Sequence, residues 1–448
     1  MSAREVFVSR RWFAGRLMRL AALGATASGL AACSISGGLP SGPAALATGA
    51  AATTPVAPQA PGHSLATKVA LLLPLCGTAQ AAAVAKGMKQ AAEMALFEFN
   101  NPAFELVVKD TEGTAEGATR AAKEATGAGA ELIIGPLFAT SVAAVRQVAA
   151  PAGVPVIAFS NDRKVAGNGV YLLSFMAEEE VERIISFAVS QGKRGIAALI
   201  PENAYGDLMV SAFQASVTRN GGQIIAMERY PVNSNGILAP SERLFKRIEQ
   251  ARAEGLSADA IFLPGGPDTL PNIAPLIKYA NAAHGAAEGP GQEAYRGAGG
   301  TPKLLGSGGW DYPNLGRNGA FVGSWYPAPD PRGWQSFSEK FSRTFGSAPP
   351  RIATLAHDAT MVAIRLASQY PAGERYTAGN IARANGFVGI DGPFRFNPDG
   401  TSTHSLAVLE VQAYKSVVID AAVPPVSSNG VSTGALHSLA ERSVAVRN

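Results

Sequence analysis

The chain has 448 residues, 47% of them hydrophobic and 16% charged, with 38 basic against 34 acidic side chains. That is too apolar for a disordered chain and too long for one hydrophobic core, so a globular protein of two domains is expected. The basic excess sits in the first 32 residues: without Arg4, Arg10, Arg11, Arg16, Arg19 and Glu5, 33 charges of each sign remain, which gives no support for a nucleic-acid footprint or a polybasic membrane patch.

The N-terminal segment reads as an export signal. Ser9-Arg10-Arg11-Trp12-Phe13 fits an ordinary basic leader and also resembles the twin-arginine export signature; both readings stay open. The apolar stretch from Leu20 to Leu30 is too short and too rich in Ala and Gly to span a bilayer in the mature protein. It closes on Leu30-Ala31-Ala32-Cys33, small residues before a cysteine, and so resembles a bacterial lipoprotein signal. The resemblance implies loss of residues 1–32, lipidation of the Cys33 thiol and a periplasmic chain held on a membrane. Ser34 follows where Asp in such lipoproteins marks inner-membrane retention, so the outer membrane is expected. With Cys33 acylated, Cys76 has no partner for an internal disulfide, and stability must come from packed cores.

Residues 33–66 read as a tether. From Ser34 to Thr67 there is no formal charge and no apolar periodicity, and Pro40, Pro43, Pro55, Pro58 and Pro61 favour extended segments with a reach of up to about 100 Å. Regular punctuation begins at Lys68. Val69 to Leu73 is a continuous apolar run ending at Pro74, the pattern of a fully buried parallel strand. Val84, Met88, Ala91, Ala92, Ala95, Leu96 and Phe99 then recur at helical spacing until Asn100-Asn101-Pro102 breaks the pattern. Strands are predicted again at 105–109, 131–134, 154–159, 195–200, 223–228, 259–263 and 303–305, with helical patterns between most of them. Alternation of this kind predicts an α/β protein, and so many strands divide better into two doubly wound parallel-sheet lobes.

Several segments together carry a family resemblance. Lys68-Val-Ala-Leu-Leu-Leu-Pro-Leu-Cys-Gly77, the helix from Gly87, Glu131-Leu-Ile-Ile-Gly-Pro-Leu137 and Val154-Pro-Val-Ile-Ala-Phe-Ser160 resemble the leucine/isoleucine/valine-binding family, which has the type 1 periplasmic binding fold. Asn203-Ala-Tyr-Gly-Asp207, Ile261-Phe-Leu-Pro-Gly-Gly266, Leu304-Leu-Gly-Ser-Gly-Gly-Trp310 and Gly392-Pro-Phe-Arg-Phe-Asn-Pro-Asp-Gly400 follow in that family's order. The expected boundaries are 67–174 with 327–388 for lobe 1, 175–326 with 389–420 for lobe 2, and a tail at 421–448.

Ligands of open α/β sheets bind beyond the carboxyl ends of strands, where loop and helix N-terminal amides are free. Thr140 and Ser141 stand at one such end, either capping a helix or holding a carboxylate or other anion. Ser160 and Asn161 end the next strand, where a tight turn uses the same residue types. The resemblance implies an aromatic over the ligand at Tyr205, and places Gly266 and Trp310 in the facing loops; Trp310, Trp325, Tyr326 and Trp334 also read as a hinge clamp at a lobe crossover.

The departures are as informative. The loop after Leu305 lacks the acid that the family offers to a ligand ammonium, unless Asp311 substitutes, and the loop Pro264 to Asp268 has no aromatic, so a branched-chain amino acid is doubtful as the ligand. Trp325-Tyr-Pro-Ala-Pro-Asp-Pro331 and Pro349-Pro-Arg-Ile-Ala-Thr-Leu-Ala-His-Asp-Ala359, with the lipoprotein signal and tether, resemble a subgroup classed as penicillin-binding protein activators. The expected partners are thus a small ligand and either an ABC permease or a penicillin-binding peptidoglycan synthase, with no nucleic acid.

No phosphate loop, zinc-helix or nucleophile-elbow motif is present, and the five histidines are scattered, so no enzyme, metal or cofactor is expected. His357-Asp358 reads as a packing pair on a helix face, and Cys76 as a small filler with no base nearby to activate it.

Overall fold

The computed structural model describes residues 66–99, 103–232, 236–283 and 302–423. The expected leader, the Cys33 lipidation site, nearly all of the tether, the Gly-rich segment 285–300 and most of the tail lie outside the described residues.

The first sheet forms from β1 (Thr67–Leu73), α1 (Ala79–Phe99), β2 (Phe104–Asp110), α2 (Ala115–Gly127), β3 (Leu132–Ile134), α3 (Ala139–Ala149), β4 (Val156–Ala158) and β5 (Val170–Leu172). All its pairings are parallel, in the order β2-β1-β3-β4-β5. The unbroken apolar run of β1 has a simple cause: alternate side chains enter different cores. Val69, Leu71 and Leu73 join the core on the α1 side, while Ala70 and Leu72 face α2 and α3.

The chain then builds α4 (Ala177–Ser190), β6 (Gly195–Pro201), α5 (Ala204–Arg219), β7 (Gln223–Tyr230), α6 (Leu238–Ala253), β8 (Ala260–Phe262), α7 (Leu270–Ala283), β9 (Lys303–Leu305) and β10 (Trp325–Ala328). It returns to the first lobe for α8 (Pro331–Phe345), α9 (Ala353–Gln369), α10 (Ala378–Ile381) and the antiparallel β11 (Phe387–Gly389), β12 (Gly392–Phe396) and β13 (Ser402–His404). β14 (Ala407–Val411) and β15 (Ser416–Asp420) finish the second sheet, ordered β15-β14-β10-β9-β8-β6-β7.

Two differences from the sequence reading follow. The second sheet is not wholly parallel, because β14 pairs antiparallel with β10 and with β15. The last crossing also lies later than expected. Phe387, Phe394 and Phe396 pack with α9 in the first core, whereas residues 389–404 read from sequence as lobe 2. The three crossings therefore fall near 173–176, 329–330 and 405–406. Two of them lie side by side: the Ser402 hydroxyl donates to the Ser174 carbonyl at 3.2 Å, and the Leu172 amide donates to Gly400 at 2.7 Å.

Candidate ligand-binding cleft

Parallel strands put all their carboxyl ends on one edge, and α4, which runs back before β6, brings its N-terminus to the same edge of the second sheet. These two edges are the candidate cleft walls.

On the first wall, β3 turns sharply at Gly135, whose φ of 88° and a Cβ that would lie 2.2 Å from the Leu72 carbonyl oxygen admit only glycine. Phe138 caps α3 without any side-chain hydrogen bond, so the first amides of that helix, at Ala139 and Thr140, are left to an outside acceptor. Thr140 is exposed beside them. Ser141 is not available: it is fully buried and its Oγ donates to the Thr114 carbonyl at 3.4 Å, which corrects the sequence expectation. Ser160 is also buried, and its Oγ accepts the Asp162 amide at 3.1 Å in a tight turn; Asn161 next to it is exposed.

Asp110 organises the neighbouring loop, its Oδ1 accepting the amides of Leu75 and Glu112 at 2.8 and 2.7 Å and that of Cys76 at 3.3 Å. Its hydrogen bond and charge push the Cys76 thiol up, so the thiol stays protonated and poorly nucleophilic.

On the second wall, Asn203 caps α5 through the Gly206 amide at 2.8 Å, which fixes Tyr205 in the first turn. The Tyr205 hydroxyl lies 2.8 Å from Ser307 Oγ, and burial pushes the phenol up, so it remains a hydrogen-bonding group. Gly266 belongs to a turn in which its amide donates to Thr269 Oγ1 at 3.1 Å.

Trp310 is fully buried, not displayed to the cleft. Its Nε1 donates to the Leu263 carbonyl at 2.9 Å and its ring packs edge-on to Phe321 at 5.2 Å, so it anchors the second core; this corrects its assignment as a ligand contact. Asp311 is likewise spent, held 3.0 Å from Arg351 Nε across the lobes, while Arg351 also grips Asp391 at 2.9 Å. Of the aromatic stretch, Trp334 lies at the lobe junction with the Arg351 guanidinium 4.9 Å from its ring.

The carboxylate missing from the loop after β9 comes from another element. Glu180, in the first turn of α4, accepts the Gly308 amide on Oε2 at 2.9 Å and has no ion pair among the described residues. Burial pushes its carboxyl up to about 7. Sequence reasoning missed it because Glu178-Glu179-Glu180 looks like ordinary helix-dipole complementation, and nothing in the spacing tells which acid turns inward. Outside the cleft, His357 ties α9 to α1, with Nδ1 3.1 Å from Asp358 and Nε2 3.3 Å from Glu98. Among the described residues no group of three or more His, Cys, Asp or Glu is placed to hold a metal ion, and no helix is long and apolar enough to cross a membrane.

The comparisons with known proteins agree with this architecture. The structure is similar to a putative branched-chain amino acid ABC transporter protein from Rhodospirillum rubrum, with a TM-score of 0.67 at 18% identity over 79% of this chain and all of the other. An ABC transporter substrate-binding protein from Sphaerobacter thermophilus gives 0.61 at 21% identity over 81% and 99% of the two chains. A leucine-binding protein from Thermotoga maritima gives 0.53 at 22% over 80% and 99%. In sequence, the penicillin-binding protein activator LpoA of Klebsiella pneumoniae is 26% identical over 204 residues, which span 41% of this chain and 28% of that relative. The profile described as periplasmic binding protein matches residues 66–416, the two lobes together, and the chain therefore belongs to the periplasmic binding protein family.

Proposed function

We propose that this protein is a non-catalytic, lipid-anchored periplasmic binding protein that holds a small amino-acid-like ligand between its lobes, in the service of amino-acid transport. The carrying observation is a complementary pair of walls. The first offers uncapped helix amides at Ala139 and Thr140, suited to a carboxylate; the second offers Glu180, a half-buried carboxyl with no cation beside it among the described residues, suited to an ammonium. Tyr205, bonded to Ser307, lies on the same wall as Glu180 and supplies a rigid aromatic surface. Closing the lobes about three crossings would exclude water from both charge contacts and strengthen them.

Calorimetric titration with matched trios of an amino acid, its deaminated acid and its decarboxylated amine tests this reading. The amino acid is expected to bind tightest. Glu180→Gln is expected to weaken it by about 10–100-fold, the worth of one charge-assisted contact, while leaving the deaminated acid unchanged. Absence of heat from every compound on folded protein would sink the proposal. The anchor is tested separately: Cys33→Ser should move the protein from the membrane fraction to the soluble one.

A second reading is an activator of a penicillin-binding peptidoglycan synthase. It is favoured by the partial similarity to the Klebsiella pneumoniae activator and by the internal use of Asp311, Ser141 and Trp310, groups that a transport protein would turn to its solute. Stimulation of glycan polymerisation by both wild type and Glu180→Gln, with no solute bound, would favour it.

A further inference from the structure

The seam between the first and third crossings carries two ionisable side chains with no ionic partner of their own among the described residues. His404, the last residue of β13, is buried, and among the described residues neither ring nitrogen has a hydrogen-bond partner; the neighbouring Ser405 hydroxyl has none there either. The imidazole lies between the rings of Phe175, in the first crossing, and Phe394, in β12 of the first lobe, at 4.8 and 5.5 Å. Glu179, in the first turn of α4, reaches across the seam and accepts the His404 backbone amide on Oε2 at 3.1 Å. Three orphaned polar atoms in two consecutive residues are unusual in a packed protein and call for a reason.

We infer that Glu179 and His404 form a compensated proton latch, each uncharged in the lobe arrangement described here and each hydrated when the seam parts, so that the lobe equilibrium stays level through mildly acidic pH. The two groups respond to burial in opposite directions. Desolvation lowers His404 to about 4 and raises Glu179 to about 7, against ordinary values of 6.5 and 4.5. Falling pH therefore opens the seam through His404 between 6.5 and about 4, and closes it through Glu179 between about 7 and 4.5. Over the shared range the two effects cancel.

The other charges facing the pair do not replace either partner. Asp391 and Arg351 act on His404 in opposite senses and are bonded to each other at 2.9 Å. Around Glu179, the Thr403 hydroxyl donates to it, Glu178 and Glu180 repel it, and a cavity of about 390 Å³ at the seam adds Arg163 and Asp399, themselves paired at 2.9 Å. Glu180 is bonded within the second lobe and moves with it.

Interlobe distance in the full-length, ligand-free protein tests the latch, with ketone-bearing residues introduced at the exposed positions Lys123 on α2 and Gln214 on α5 and labelled for energy transfer. The ratio of open to closed lobes is expected to stay level from pH 4.5 to 6.5 in the wild type. In His404→Phe it should fall with falling pH, and in Glu179→Gln rise, each approaching tenfold per pH unit. A sloping wild type with level variants, or variants sloping the same way, would overturn the inference. If His404→Phe fails to fold by circular dichroism, His404→Leu takes its place, and a level profile in Glu179→Gln alone suffices to reject the latch. The inference rests on lobe motion, as the binding proposal does, but on no ligand: failed amino-acid titration leaves the distance profile intact, and a level profile in Glu179→Gln leaves the titration intact.

Discussion

At position 357 the fold holds an imidazole between two carboxylates, Glu98 on α1 and Asp358 beside it, with Lys340 adding a second cation 2.8 Å from Glu98. Burial opposes the charge, but the contacts with Asp358 and Glu98 outweigh it and raise His357 to about 9, and the His357 contact holds Glu98 down at about 2. A base raised in the folded state stabilises fully below its unfolded value of 6.5 and loses that contribution as pH rises through 9. Urea midpoints at pH 6 and pH 10 should therefore show wild type losing on the order of 2–3 kcal/mol more than His357→Gln. Equal losses would refute the charged pair. The packing role of His357-Asp358 was legible because both sit in an apolar helical stretch. Trp310 was not legible: a tryptophan after Gly308-Gly309 reads equally as a displayed ring or a core anchor, and only its fully buried indole decides. Trp310→Ala should cost about 3–5 kcal/mol in chemical unfolding, against near neutrality for a solvent-facing ring.

Among the elements, α1 packs at Gly87 against Pro350, just before α9. A Cβ there would lie 2.3 Å from the rigid Pro350 ring. Gly87→Ala ought to gain about 0.5–1 kcal/mol from helix propensity, but the clash sets about 1–3 kcal/mol against it. The net expectation is a melting temperature several degrees lower by calorimetry; a rise would show that the α1–Pro350 contact yields easily. The long strands β1, β6 and β7 and the helix α9 were legible because buried runs and helical periods leave a strong local pattern. The three-residue strands β5, β11 and β13 were not read from the sequence, although the equally short β3, β4, β8 and β9 were. β12 was placed in the wrong lobe because its phenylalanines would suit either core, and the choice is made by α9.

At the scale of the whole molecule, Arg351 touches both lobes and the seam. It pairs with Asp391 in its own lobe and Asp311 in the other, and its guanidinium lies 5.6 Å from the Phe175 ring. The two bonds are unequal in burial: the Asp391 side chain is 3% exposed and that of Asp311 is 28%. Arg351→Met strands the buried Asp391 and should destabilise by about 3–5 kcal/mol, whereas Asp311→Asn should cost under about 1 kcal/mol while loosening the lobes. Denaturant unfolding of the two variants checks the ranking, and equal effects would contradict it.

The amino-acid pattern by itself determined the α/β alternation, the two-lobed plan and the edge of each sheet where the strands end, because buried strands, helix periods and strand ends are local features. Only the tertiary structure decided which polar groups at that edge remain available. Ser141, Trp310 and Asp311 are drawn into contacts with residues distant in sequence, while Glu180 arrives from an unexpected helix. Hydrogen bonding and burial are settled between elements, and the cost of leaving a buried polar group unpaired determines which side chain turns inward.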